Sequence, residues 1–256
     1  MISRQMFRFS RREFIAMATP VLAAAQTAPQ LAARRLNIVC VGGHPDDPES
    51  GCGGTLARYS ALGHSVTIVY LTRGEAGIAG KSRDQASAIR TAECEASCKV
   101  LGAKPVFAGQ IDGATVVDAK AAESLGRLIA AEKPNVVLTQ WPIDTHLDHQ
   151  AASILTYRVW LAGGRRFELF YYEVDLGAQT MGFNPTDYVD ITAVREKKKA
   201  ALFAHKSQDG EGIYRQHHQV MEAFRGREGG TTAAEAFVRL SRAGTPGLPG
   251  LFTEPA

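Results

Sequence analysis

The sequence predicts an α/β fold, a Rossmann-like and mostly parallel sheet flanked by helices. Three observations carry the prediction. Residues 36–41, 66–71 and 136–139 are short β-branched apolar runs, the type buried on both faces of a parallel sheet. Amphipathic helical stretches alternate with them, which implies right-handed crossovers. No internal repeat or linker divides the 256 residues, whose 45% hydrophobic content suffices for one core. In such sheets a site forms at the carboxyl ends of the strands.

Taken in order, the first strand, 36–41, ends in Gly42 and Gly43 and then delivers His44, Asp46 and Asp47 within four positions. Glycines 51, 53 and 54 read as a turn. A helix is predicted after Gly54, through Leu56, Tyr59 and Leu62, stopping at Gly63. The second strand is 66–71, followed by a loop at 72–77. Residues 85–101 form a helix with Gly102 as its C-cap. A short strand at 105–108 and an amphipathic helix at 119–132 come next. Strand 136–139 leads through the loop 140–145 into a helix carrying 148–161. Strands are predicted at 167–174 and 188–191. A basic helix at 194–205 contains Lys197, Lys198 and Lys199, read as a solvated face. In the last third, Gly-rich 225–230 reads as loop and 233–240 as helix, and the Pro/Gly-rich tail after about 241 reads as flexible.

The formal net charge of +3 belongs to the N-terminus. The first 25 residues carry Arg4, Arg8, Arg11 and Arg12 against Glu13, and the remainder balances 25 basic against 25 acidic residues. This gives no support for nucleic-acid binding. A basic start, a short apolar stretch and Ala23, Ala24 and Ala25 read as an export signal peptide over 1–25. The stretch is too short to span a bilayer, which takes about 20 apolar residues. Ser10-Arg-Arg-Glu-Phe14 resembles a twin-arginine signal more fully than an ordinary secretory leader. The expected location is periplasmic or extracellular, with 26–256 as the working domain. Of four cysteines, Cys40 and Cys52 read as small buried residues, and Cys94 and Cys98 are left open. No C-x-x-C pair suggests a structural zinc site.

A second cluster, His146-Leu-Asp-His149, follows a different strand end. Together the clusters offer imidazoles and a carboxylate to one metal, which is the donor set of a catalytic zinc site. Zinc brings the pKa of a bound water to about 7, and a nearby second carboxylate can take the proton. This inventory suffices for metal-assisted amide hydrolysis. Spacing alone leaves open which of Asp46 and Asp47, and which of His146 and His149, ligates.

Gly43-His-Pro-Asp-Asp47, Gly51-Cys-Gly-Gly-Thr-Leu56 and His146-x-Asp-His149 resemble the LmbE/PIG-L family of metal-dependent N-acetylglucosaminyl deacetylases. Arg90-Thr-Ala-Glu93, Asp112-Gly113 and His205-Lys-Ser-Gln208 match further family motifs, in order, over most of the chain. The resemblance implies one Zn2+ held by His44, Asp47 and His149, with another divalent transition metal as an alternative. It implies Asp46 as the general base, His146 polarising the acetyl carbonyl or its oxyanion, and Asp148 orienting His146. It places Arg90 and Asp112 on substrate hydroxyls, and His205 and Gln208 along the site. The implied partner is a small molecule or glycan bearing an N-acetyl amino sugar. Two departures stand out. Glu49 follows the paired Asp only after Pro48, and Gly43 replaces the usual Ala.

Three other functions compete. A nicotinamide or flavin enzyme would need G-x-G-x-x-G after the first strand, and the carboxylates here would face the pyrophosphate. A magnesium-dependent signalling domain fits two histidines poorly. A carbohydrate- or metal-binding protein of the same fold without activity is the remaining alternative. Trp141 reads equally as a sugar platform or a loop anchor. His64, His217 and His218 match no motif.

Overall fold

The computed structural model describes residues 35–174, 179–240 and 247–251. The predicted signal peptide and most of the tail lie outside the described residues. Seven strands form one sheet in the order β3-β2-β1-β4-β5-β7-β6. They are β1 (Asn37–Gly42), β2 (Ser65–Tyr70), β3 (Lys104–Phe107), β4 (Val136–Gln140), β5 (Glu168–Tyr172), β6 (Asp187–Asp190) and β7 (Ala234–Arg239). β3, β2, β1, β4 and β5 pair in parallel, while β7 runs antiparallel between β5 and β6. The predicted fold class is therefore the observed one. The apolar runs become β1, β2 and β4 because both faces are covered: one packs Cys40, Leu56, Ile68 and Leu138, the other Val39, Val69, Leu125 and Leu155.

The helices are α1 (Asp47–Ala61), α2 (Arg83–Leu101), α3 (Ala119–Ala131), α4 (Leu147–Ala162), α5 (Arg195–Phe203), α6 (Gly210–Ile213) and α7 (Gln219–Gly229). Gly102 caps α2 in the left-handed region, as its sequence position predicted. No helix among the described residues is long and apolar enough to cross a membrane.

Four expectations need correction. Helix α1 begins at Asp47, not after Gly54, and breaks at Cys52 (φ −145°). The break exposes a second set of helix N–H groups. Glu235 accepts from the Gly54 and Thr55 amides at 2.9 and 2.7 Å. The glycines read as a turn are there for close packing: a Cβ at Gly51 would lie 2.4 Å from Tyr172 Cδ2, and one at Gly54 2.6 Å from Ile191 Cγ2.

The stretch 225–230 is mostly helix. Gly226 sits inside α7 because the Thr232 backbone would lie 2.8 Å from a Cβ there, and Gly230 is the left-handed cap. Within 233–240, residues 234–239 form strand β7, with Ala234 to Phe237 buried. Ladders on both sides outweigh its helical propensity, and a short apolar run cannot declare its own period. Lys198 is buried rather than solvated. It pairs with Glu222 at 3.0 Å and Glu235 at 2.7 Å, tying α5 to α7 and β7.

Of the tail, Gly247, Leu248, Pro249, Gly250 and Leu251 are described. Leu248 and Leu251 are buried, and Tyr59 Oη donates to the Pro249 carbonyl at 2.9 Å. All four cysteines are buried with free thiols, and Cys94 and Cys98, left open by the sequence, pack into the core from α2.

Candidate active site

The parallel strands bring their carboxyl ends together, and the loops there bound an open pocket of about 470 Å³. The β1 end supplies His44, and the immediate start of α1 supplies Asp47. The Asp47 Oδ2 atom accepts the His44 amide at 2.8 Å and lies 3.1 Å from His44 Nδ1. The N-terminus of α4 supplies His149, whose Nε2 is 3.2 Å from the same oxygen. The sequence-predicted trio therefore meets at one carboxylate oxygen. His44–His146–His149 and His44–Asp112–Asp148 also bring their donor atoms within 4.8 Å of one another.

Hydrogen bonding decides which side of His44 is available. Its Nε2 is engaged by Asp112 Oδ1 at 3.1 Å and Asp148 Oδ2 at 3.0 Å. That leaves Nδ1, the atom facing Asp47 and His149. His149 Nδ1 is backed by Asp144 Oδ1 at 3.2 Å. Each imidazole thus has a carboxylate behind one nitrogen and an inward-facing second nitrogen, the arrangement that orients histidine for a metal. Buried mixed imidazole and carboxylate donors fit a divalent transition metal.

Charge follows this geometry. Burial opposes ionisation of Asp47, but His149 and His44 outweigh it and hold its pKa well below the usual carboxylate range. Burial likewise opposes charge on His44, and its hydrogen bonds to Asp112, Asp148 and Asp47 reverse this, raising the pKa well above normal. Asp46 goes the other way. Burial raises its pKa, only partly offset by Arg90, and Asp47 adds to the rise. Two adjacent carboxylates are therefore driven apart in acidity, the signature of a division of labour.

Asp46 sits at φ 107°, a costly conformation for a residue with a Cβ. Glu49 Oε2 accepts its amide at 3.1 Å, and Arg90 donates to its carboxylate at 2.9 Å and to the Pro45 carbonyl. Glu49 is fully buried and is itself held by Tyr70 Oη at 2.7 Å and His205 Nε2 at 3.2 Å. His146 caps α4, with Nδ1 accepting the Asp148 amide at 3.2 Å. Burial and then the neighbouring His44 and His149 lower its pKa, so the neutral ring carries its proton on Nε2.

Several predicted residues are placed differently than expected. The Asp148 carboxylate does not hold the His146 ring. It accepts from Gly113 N at 2.8 Å and Thr115 Oγ1 at 2.7 Å and engages His44. Asp112 is spent on His44 and the Ala76 amide rather than open to hydroxyls. Arg90 lines the pocket, but its guanidinium is committed to Asp46. His205 is fully buried behind Glu49 and does not line the pocket, whereas Gln208 does. Glu93 accepts from Ser207 N and Oγ at 2.8 and 2.7 Å, so two motifs far apart in sequence are joined. Trp141 anchors a loop, donating to the Met181 carbonyl at 2.9 Å between Tyr171 and Phe183.

Asp144, Gln179, His217 and His218 are site residues that sequence reasoning missed. Asp144 had a signal, an acid two residues before His146. Gln179 had none, because a loop after β5 brings it in. His217 and His218 reach the pocket through a π-helical turn, Tyr214–His218, which no simple periodicity announces.

Residues 39–160 match the family model PIG-L, described as GlcNAc-PI de-N-acetylase. Over that stretch the chain is similar to the PIG-L family. Among similar proteins, the diacetylchitobiose deacetylase of Thermococcus kodakarensis is 29% identical over 191 residues, covering 69% of this chain and 72% of the relative. A conserved protein from Thermus thermophilus has a solved structure with TM-score 0.72 and 29% identity, covering 85% of this chain and all of that one. The 4-carboxy-2-hydroxymuconate hydratase GalB of Pseudomonas putida shares the fold at TM-score 0.71 and 21% identity, covering 82% and 98%. That last likeness shows the fold alone.

Proposed function

We propose that the chain is a zinc-dependent hydrolase that removes the N-acetyl group from an N-acetylglucosamine-type amino-sugar conjugate. One observation carries the proposal: His44, Asp47 and His149 converge beside a second carboxylate, Asp46, that is held apart from them on Arg90. The relatives' named activities support the substrate class.

His44, Asp47 and His149 would hold the zinc, which when bound acts as a Lewis acid and makes water nucleophilic near neutral pH. Asp46 takes a proton from the attacking water and delivers it to the departing amine, a role suited to a carboxyl of raised pKa. His146, neutral with its proton on Nε2, donates to the acetyl oxygen as negative charge develops there. Arg90 and Glu49 keep Asp46 in its left-handed backbone conformation. Asp112 and Asp148 orient His44, and Asp144 orients His149. The products are the free amine and acetate. The leader suggests that the reaction takes place outside the cytoplasm.

The test joins metal analysis with an acetate-release screen of N-acetylated amino sugars. The expected result is zinc in both wild type and Asp46→Asn, with acetate release lowered by roughly 10²–10⁴-fold in the variant. Bound zinc with no acetate from any N-acyl amino sugar would sink the proposal and favour a binding protein.

A further inference from the structure

Cys40 and Cys52 lie twelve positions apart, one on β1 and one at the break in α1, with their Sγ atoms 3.4 Å apart. Neither thiol is exposed to solvent. The break matters because Cys52 leaves helical φ/ψ there, and its thiol meets the strand beneath. The segment between the two cysteines contains His44, Asp46 and Asp47. A bond between them would tie off the ends of half the site.

We propose that Cys40 and Cys52 are a disulfide-forming pair that closes only while the chain is folding. The chemistry is thiol–disulfide exchange with a small disulfide of the glutathione class. One cysteine thiolate attacks the oxidant, forming a mixed disulfide and releasing one glutathione thiolate. The second cysteine thiolate then attacks that mixed disulfide and releases the other. Two cysteine thiols lose two protons and two electrons, and one oxidant disulfide becomes two thiols.

Timing follows from access. Exchange needs a thiolate and a path for the oxidant. In the folded chain both sulfurs are sealed in the core with Tyr70, Tyr172 and Leu138. Burial, followed by the neighbouring Cys40 thiol, also pushes the Cys52 thiol well above its ordinary pKa. Before β1 and α1 dock, nothing shields either thiol. The pair therefore records whether the chain folded before or after it met an oxidant. A chain folded before export carries free thiols, and one folded outside carries the bond. Cys94 and Cys98, one turn apart within the unbroken helix α2, form an internal control expected to stay reduced.

The full chain, purified reduced, is divided in two. One aliquot stays native. The other is unfolded in guanidinium and refolded, both in the same oxidised and reduced glutathione mixture. Free thiols are then blocked under denaturing conditions and the peptides mapped by mass spectrometry. The expected result is a Cys40–Cys52 linkage in most of the refolded protein and at least tenfold less in the native aliquot. Refolded protein with native circular dichroism but no such linkage overturns the proposal. So does a linkage forming as fast in the native aliquot. If the chain does not regain native circular dichroism, cell-free synthesis with glutathione disulfide added before or after translation gives the same comparison.

Discussion

Replacing Asp144 with Asn removes the charge behind His149 while keeping the side chain's size and one acceptor oxygen. In the wild type, Asp144 Oδ1 accepts the His146 amide at 2.8 Å and lies 3.2 Å from His149 Nδ1. It fixes the ring so that Nε2 points at Asp47. A hydrogen bond to a charged group contributes about 1.5–3 kcal/mol, against about 0.5–1.5 kcal/mol for a neutral one. The difference of about 1–2 kcal/mol corresponds to roughly 5–30-fold in metal affinity. That overlaps the 10–100-fold range typical of groups that orient metal-bound histidines. If the new amide presents its NH2 to Nδ1, the ring proton moves to Nε2, where it blocks the metal, and the loss is larger. The assay is competition of the apo protein against a chromophoric chelator for zinc. Thermal unfolding of both apo proteins checks that the variant is folded. Unchanged zinc affinity in a folded Asp144→Asn protein would refute the assignment of His149 Nε2 as a ligand oriented by Asp144.

Gly51→Ala should lower stability by about 1–3 kcal/mol despite its smaller unfolded-state entropy, because the new Cβ meets Tyr172 Cδ2 at 2.4 Å and the Glu173 carbonyl oxygen at 2.7 Å. A thermal midpoint equal to or above wild type would show that α1 can shift without cost. His218 is a pH probe. Burial, then Lys198 and His217, push its pKa down to about 3. Its unfolded pKa is about 6.5, so the unfolded chain takes up a proton first as pH falls. This group adds nothing above pH 7 and removes about 1.4 kcal/mol per pH unit from about 6.5 toward 3. His218→Gln should therefore lose about 2 kcal/mol less than wild type between pH 7 and 5 in chemical denaturation. Parallel losses in the two proteins would contradict a buried neutral His218.

The legible parts of this protein were those whose signals are local. β-branched runs declared β1, β2 and β4, because a strand buried on both faces needs no partner to be recognised. Gly102 declared the end of α2, because only a residue tolerant of the left-handed region ends a helix there cheaply. His44, Asp46, Asp47, His146 and His149 were legible as chemistry, since strand ends in a parallel sheet converge at one edge. The sequence did not say which nitrogen of His44 is occupied, nor that Asp148 serves His44 rather than His146. Those depend on angstrom-scale approaches between loops after β1, β3 and β4. The status of β7 also lay outside its own residues, since Ala234 to Arg239 becomes a strand only when β5 and β6 supply ladders. Lys198 looked like one member of a solvated run, until Glu222 and Glu235 from distant segments made its burial tolerable. The sequence by itself determined the layers of the fold and the stock of reactive groups. Tertiary structure decided the pairing of those groups, because hydrogen bonds and desolvation depend on neighbours that only the folded chain brings within reach.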